Sequence, residues 1–199
     1  MIHEALRTPM MLPTHVLVGL SLATPLALVA PEMTPAIVIG TVIGSIAPDL
    51  DVLARHRRTL HFPTGYAVAG IPAVGVSVIR PSLAAVTIAT GVAAATVHCR
   101  MDVYGGSHEL RPWERNTDRA VYDHLRGRWQ PAKRWVQYDG SRSDLVVSLI
   151  AAIPPVVLLP ETSRVIVAGA VGIALVYTAF RRRIPDLIDV IADRVGYGV

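Results

Sequence analysis

Two histidines and three aspartates of this chain stand where idle ionisable groups would be costly, and a basic loop adds two more histidines. His15 lies one turn inside the first apolar run, Asp49 and Asp51 follow Pro48 directly after the second, and His98 closes the fourth with Asp102 one helical turn on. His56 and His61 bracket the basic pair Arg57 and Arg58 in the loop after the second run. A spacing of four stacks His98 and Asp102 on one helix face, where they can share an ion. Pro48 disfavours helix at Ala47, which frees Asp49 and Asp51 to turn into a common pocket. Imidazole and carboxylate donors without thiolate suit zinc first, with manganese or iron as alternatives. The lone Cys99 offers neither a thiolate cluster nor an intrachain disulfide.

The expected metal ligands are therefore His15, Asp49, Asp51, His56, His61, His98 and Asp102, with Asp49, Asp51, His98 and Asp102 also carrying the catalytic work. Seven candidates exceed the three or four protein ligands of one catalytic zinc, so two ions bridged by an aspartate are expected. Such a pair activates water and clamps the oxygens of a phosphoester without a Ser or Cys nucleophile. Arg57, Arg58 and Arg100 are the candidates for holding the anionic substrate, since a guanidinium fork matches phosphate oxygens.

The elements that must position these groups are apolar. Of 199 residues, 52% are hydrophobic and only 17% charged, too few polar side chains to coat a soluble globule. Six runs free of Asp, Glu, Lys and Arg cover residues 12–30, 33–47, 62–79, 81–97, 145–159 and 165–180. The reading is an all-α, polytopic bundle of six membrane helices, although several runs are shorter than the roughly 20 residues of a comfortable span. Charge bias supports the count. With a cytoplasmic N-terminus, 17 of the 19 Lys and Arg fall on one side and only Arg80 and Arg164 on the other. That places both termini in the cytoplasm, the protein in the inner or plasma membrane, and every candidate ligand at one depth on the cytoplasmic side.

Residues 99–144 form a polar loop too poor in aliphatics for a core of its own, expected to lie on the membrane surface with Trp113, Trp129 and Trp135 at headgroup depth. Ile184, Leu187, Ile188, Ile191 and Val195 fall at helical spacing and predict an amphipathic tail helix over residues 184–199. The whole chain thus reads as one membrane domain: four helices with the site motifs in residues 11–98, the polar loop, a last hairpin in residues 145–183, and the tail. The long loop is nearly balanced in charge, so membrane lipid rather than nucleic acid is the expected partner. The first run is too long for a signal core and lacks a good cleavage site, and Met10 or Met11 is a possible alternative start.

The order of His15, the Pro48-Asp49-Leu50-Asp51 run, the His56-Arg57 to His61 loop, and His98 to Asp102 followed by Gly105, Gly106 and a Pro112-Trp113 corner resembles the YdjM-type family of membrane-bound, metal-dependent hydrolases. The resemblance covers roughly residues 11 to 113. Val52 stands where that family usually carries a histidine, and Leu60 where it carries a threonine. It implies a divalent-metal site on these His and Asp positions and a distant likeness to zinc-dependent phospholipase C. The expected function is hydrolysis of a phosphoester or lipid-borne group at the cytoplasmic face. A metal-ion transporter and a non-catalytic scaffold with a structural metal are the rivals.

Overall fold

The computed structural model describes residues 12–194. Arg7, one of the 17 basic residues assigned to the cytoplasmic side, and Val195 of the expected tail helix lie outside them. Among the described residues the chain is mostly helical: α1 Leu12–Val29, α2 Thr34–Ile46, α3 Pro63–Ile79, α4 Leu83–Tyr104, α5 Arg142–Leu158, α6 Glu161–Phe180 and α7 Ile184–Arg194. Four segments are long and apolar enough to cross a membrane: Leu12–Val29, Pro31–Val52, Leu83–Tyr104 and Glu161–Phe180. α3 is apolar but shorter, and α5 begins with Arg142 and Asp144.

α1 is the central helix. Leu17 and Leu20 are fully buried and join Ile37 of α2, Ala152 of α5 and Val167 of α6 in one apolar core. Outward-facing Leu22, Ile39, Val68, Ile88, Ile153 and Val176 are largely exposed, the reverse of a soluble bundle and as expected for a lipid-facing surface. α2 lies hard against α4. A Cβ added at Gly40 would collide with the Thr87 carbonyl, and one at Gly44 with the Gly91 carbonyl, so the Gly40-x-x-x-Gly44 pair permits backbone contact. The Thr87 hydroxyl donates to the Ala36 carbonyl across the same seam at 3.3 Å.

Contrary to expectation, Pro48 does not turn Ala47 out of helical geometry, which it keeps at φ −53° and ψ −42°, and the chain tightens rather than unwinds. α2 ends at Ile46 and passes into a 3₁₀ helix over Ala47–Leu53. With three residues per turn, side chains two apart point in different directions, which separates Asp49 from Asp51.

The polar segment is more structured than its composition suggested. It contains an antiparallel hairpin, β1 Arg119–Asp123 and β2 Arg128–Pro131, with a bulge between Arg119 and Val121. The buried Asp123 carboxylate accepts from the Leu125 and Arg126 amides, and Gly127 takes φ +62° in the turn. Ala120 and Val121 pack against Val103 of α4. The Lys133 and Arg134 amides donate to the Val103 and Gly105 carbonyls, closing the segment onto the end of α4. α7 is a short helix whose Asp186 and Asp189 both pair with Arg111.

Candidate metal centre

Asp49, His61, His98 and Asp102 come together at one end of the bundle, each delivered by a different stretch of backbone. The 3₁₀ turn brings Asp49, the residue two before α3 is His61, and the last two turns of α4 supply His98 and Asp102. One donor atom from each lies within 4.8 Å of all the others, and all four residues are buried. The individual separations are more telling. His61 Nε2 is 2.9 Å from Asp102 Oδ2 and 3.6 Å from Asp49 Oδ1, and His98 Nε2 is 3.3 Å from Asp49 Oδ1 and 3.5 Å from Asp102 Oδ2. A tetrahedral ion with bonds of about 2.0–2.1 Å separates its ligand atoms by about 3.3 Å. These four separations bracket that value, and every pair of the four donors stays within 4.8 Å, close enough to share one ion.

Both histidines are held from behind. His98 Nδ1 donates to the Ser45 carbonyl at 2.7 Å, and His61 Nδ1 bonds the Asp51 carboxylate at 2.9 Å, so each ring presents Nε2 to the cluster. Anchoring one ring nitrogen fixes the tautomer and aim of the other, as around protein-bound metals. His98 Nε2 and Asp49 Oδ2 are buried without a hydrogen-bond partner. Burial pushes the His61 imidazolium towards neutrality, yet its hydrogen bonds to Asp102 and Asp51 outweigh this and hold its pKa above the usual histidine value. The pocket is thus arranged to hold positive charge.

Charge counting points the same way. Asp49, Asp51 and Asp102 are buried carboxylates, and among the described residues the buried guanidinium that touches them is that of Arg57, whose Nη2 lies 3.2 Å from Asp102 Oδ1. With the histidines neutral, as ligation requires, the excess is two negative charges, which one divalent cation would balance; without an ion, protons on the imidazoles, as the surroundings of His61 favour, take that place. The donor set, its close spacing and the charge all fit one divalent ion.

The other expected ligands stand one layer back. Asp51 has both oxygens engaged: Oδ1 accepts from the Arg57 amide and pairs with His56 Nδ1, and Oδ2 accepts from the Arg58 and Leu60 amides and His61. It organises the loop and orients His61. His56 reaches Asp51 and not the cluster. His15 stacks on His98 with ring centroids 3.8 Å apart and puts Nε2 3.5 Å from Asp102 Oδ1, at the edge of the group.

The three arginines also separate. Arg57 is buried, bonds the Gly106 carbonyl as well as Asp102, and adopts φ +58°, a backbone conformation that few non-glycine residues take. The Asp51 bond to its amide and the Tyr122 amide donating to its carbonyl hold it there. Arg58 lies over the Tyr122 ring, and Arg100 is exposed.

Two contacts had no signal in the sequence. The Ser45 carbonyl is a backbone group of an apolar helix, and the support of Arg57 by Tyr122 depends on the hairpin folding back across 65 residues. No family model, curated protein or solved structure matches the chain.

Proposed function

We propose that this protein is a membrane-embedded, metal-dependent hydrolase that acts at the cytoplasmic face on a phosphoester or another lipid-borne group. One ion would be held by Asp49, His61, His98 and Asp102, zinc before manganese or iron, within a bundle of six crossings whose termini are cytoplasmic. The observation that carries the reading is the set of two Nε2 and two carboxylate oxygens gathered within 4.8 Å of one another, with both rings anchored through Nδ1.

A divalent ion in this position supplies Lewis acidity toward water and a phosphoryl oxygen. The chain's own groups have separable tasks. Asp49 Oδ2 makes no hydrogen bond with any described residue and is the carboxylate oxygen that would take a proton from attacking water. Arg57 tethers Asp102 to the Gly106 carbonyl and fixes the ligand's angle. Next to His61, a cavity of about 570 Å³ runs between Phe62, Gly65, Val68 and Pro72 and the hairpin residues His124 and Leu125, an apolar space suited to the chain of a lipid. All ligands gather at one end of the helices, whereas transport sites lie near the bilayer midplane, which favours an enzyme over a carrier.

The second reading, a structural metal, draws on the burial of all four ligands, since closed four-ligand sites are commonly structural. The donor set argues the other way: structural zinc is usually held with cysteine, and none takes part here. Elemental analysis of purified protein should find about one ion per chain, absent from Asp49→Ala and His98→Ala. Metal removal separates the two readings. A catalytic site loses hydrolysis of a phospholipid and phosphoester panel while the helical circular dichroism persists, whereas a structural site melts and shows no hydrolysis even when loaded.

A further inference from the structure

A second site lies at the same end of the bundle, between the start of α5 and the end of α6. A cleft of about 660 Å³ is lined by Arg142, Arg181 and Arg182, by Gln137 and Tyr138, and on its deeper side by Leu145, Leu175 and Ala179. Its lining contains no Asp or Glu and shares no residue with the metal cluster. We propose that this cleft binds the phosphate headgroup of an anionic membrane lipid, with an acyl chain laid along the apolar seam between α5 and α6.

Four observations carry the assignment. Arg181 lines the cleft yet is 2% exposed, and its Nη1 is buried with no hydrogen-bond partner among the described residues, a costly state for a charged donor unless a ligand meets it. The rest of that guanidinium is locked in place: Nε donates to Asp139 Oδ2 at 2.8 Å, Nη2 donates to the Leu110 carbonyl at 3.1 Å, and the group faces the Trp113 ring. Asp139 therefore offsets one of the three cations and leaves two. Arg142 and Arg182 are exposed and make no ion pair with any described residue, and Arg182 spends only Nε, on the Tyr138 hydroxyl, keeping both terminal nitrogens available. Finally, the cleft pairs cations with aliphatic side chains that continue into exposed Leu149, Val176 and Ile153, the polarity gradient of a lipid from headgroup to tail. Charge sidedness alone would scatter arginines along the interface; it does not bury one with an open donor in a cleft. Basic pockets between membrane helices on the cytoplasmic side recognise anionic headgroups through this combination.

The test is native mass spectrometry of the full chain released from vesicles of equal phosphatidylglycerol and phosphatidylcholine. Wild-type protein should retain phosphatidylglycerol in preference, and Arg142→Gln/Arg182→Gln should lower that retention about tenfold. The control Arg55→Gln/Arg128→Gln removes the same charge from exposed arginines outside the cleft and should retain lipid as wild type does. Equal retention of the two lipids by wild type, or equal loss in both variants, would overturn the proposal in favour of general interfacial charge. Displacement of the bound lipid by soluble glycerol phosphate at matched concentration would overturn it in favour of a free-phosphate site.

Discussion

Asp49 and Asp51 are two positions apart and do different things, because a 3₁₀ turn sends one side chain into the cluster and the other into the His56 to His61 loop. Their substitutions should differ accordingly. Asp49→Ala removes a donor and should abolish stoichiometric metal. Asp51→Asn keeps the shape but weakens the acceptor behind His61, and should lower metal affinity by about 10–100-fold without abolishing it. Competition with a chelator of known affinity distinguishes these outcomes, and equal behaviour of the two variants would place Asp51 among the ligands. Protons oppose binding at the same atoms. His61 and His98 must present an unprotonated Nε2, and the hydrogen bonds around His61 favour its protonated form. Metal affinity should therefore fall as pH is lowered, with proton release on binding visible by calorimetry in buffers of different ionisation enthalpy.

At the level of elements, the seam between α2 and α4 sets the distance between Asp49 and His98. Both the His98 anchor on Ser45 and the approach of Asp49 depend on the Gly44 to Gly91 contact. Gly44→Val should push the helices apart, cost about 2 kcal/mol or more and lower metal occupancy, read as a reduced unfolding midpoint in detergent together with reduced metal content. Gly75→Val, where an added Cβ meets nothing, is the matched control and should change neither. The hairpin is the other element that positions the site, through the Tyr122 amide on the Arg57 carbonyl. Tyr122→Pro removes that donor, together with its place in the strand pairing, and should lower metal affinity although residue 122 is not a ligand.

Over the whole molecule, the six-crossing reading rests on charge bias, and four segments meet the length and hydropathy of a span on their own. Cysteine 99 is the single thiol and is buried, so cysteines introduced at exposed Arg80, Glu161 and Arg126 can be labelled selectively. In intact cells residues 80 and 161 should react with a membrane-impermeant maleimide and residue 126 should not; labelling of residue 126 would invert the topology. Composition was enough for the apolar helices, and the cost of charge near lipid was enough to single out His15, Asp49, Asp51, His98 and Asp102, because both follow from local physical chemistry; His56 and His61 were named together from their loop, with nothing to separate ligand from support. Which of them come close enough to share an ion was not legible. That depends on the 3₁₀ pitch after Pro48, on a glycine contact between helices some 50 residues apart, and on a buried arginine held by a distant hairpin. The expectation of two ions came from counting donors along the chain. The tertiary structure spends His56 and both Asp51 oxygens on the loop and leaves four donors at ligand spacing, because a carboxylate already bonded to backbone amides and imidazoles has no lone pair aimed at the cluster.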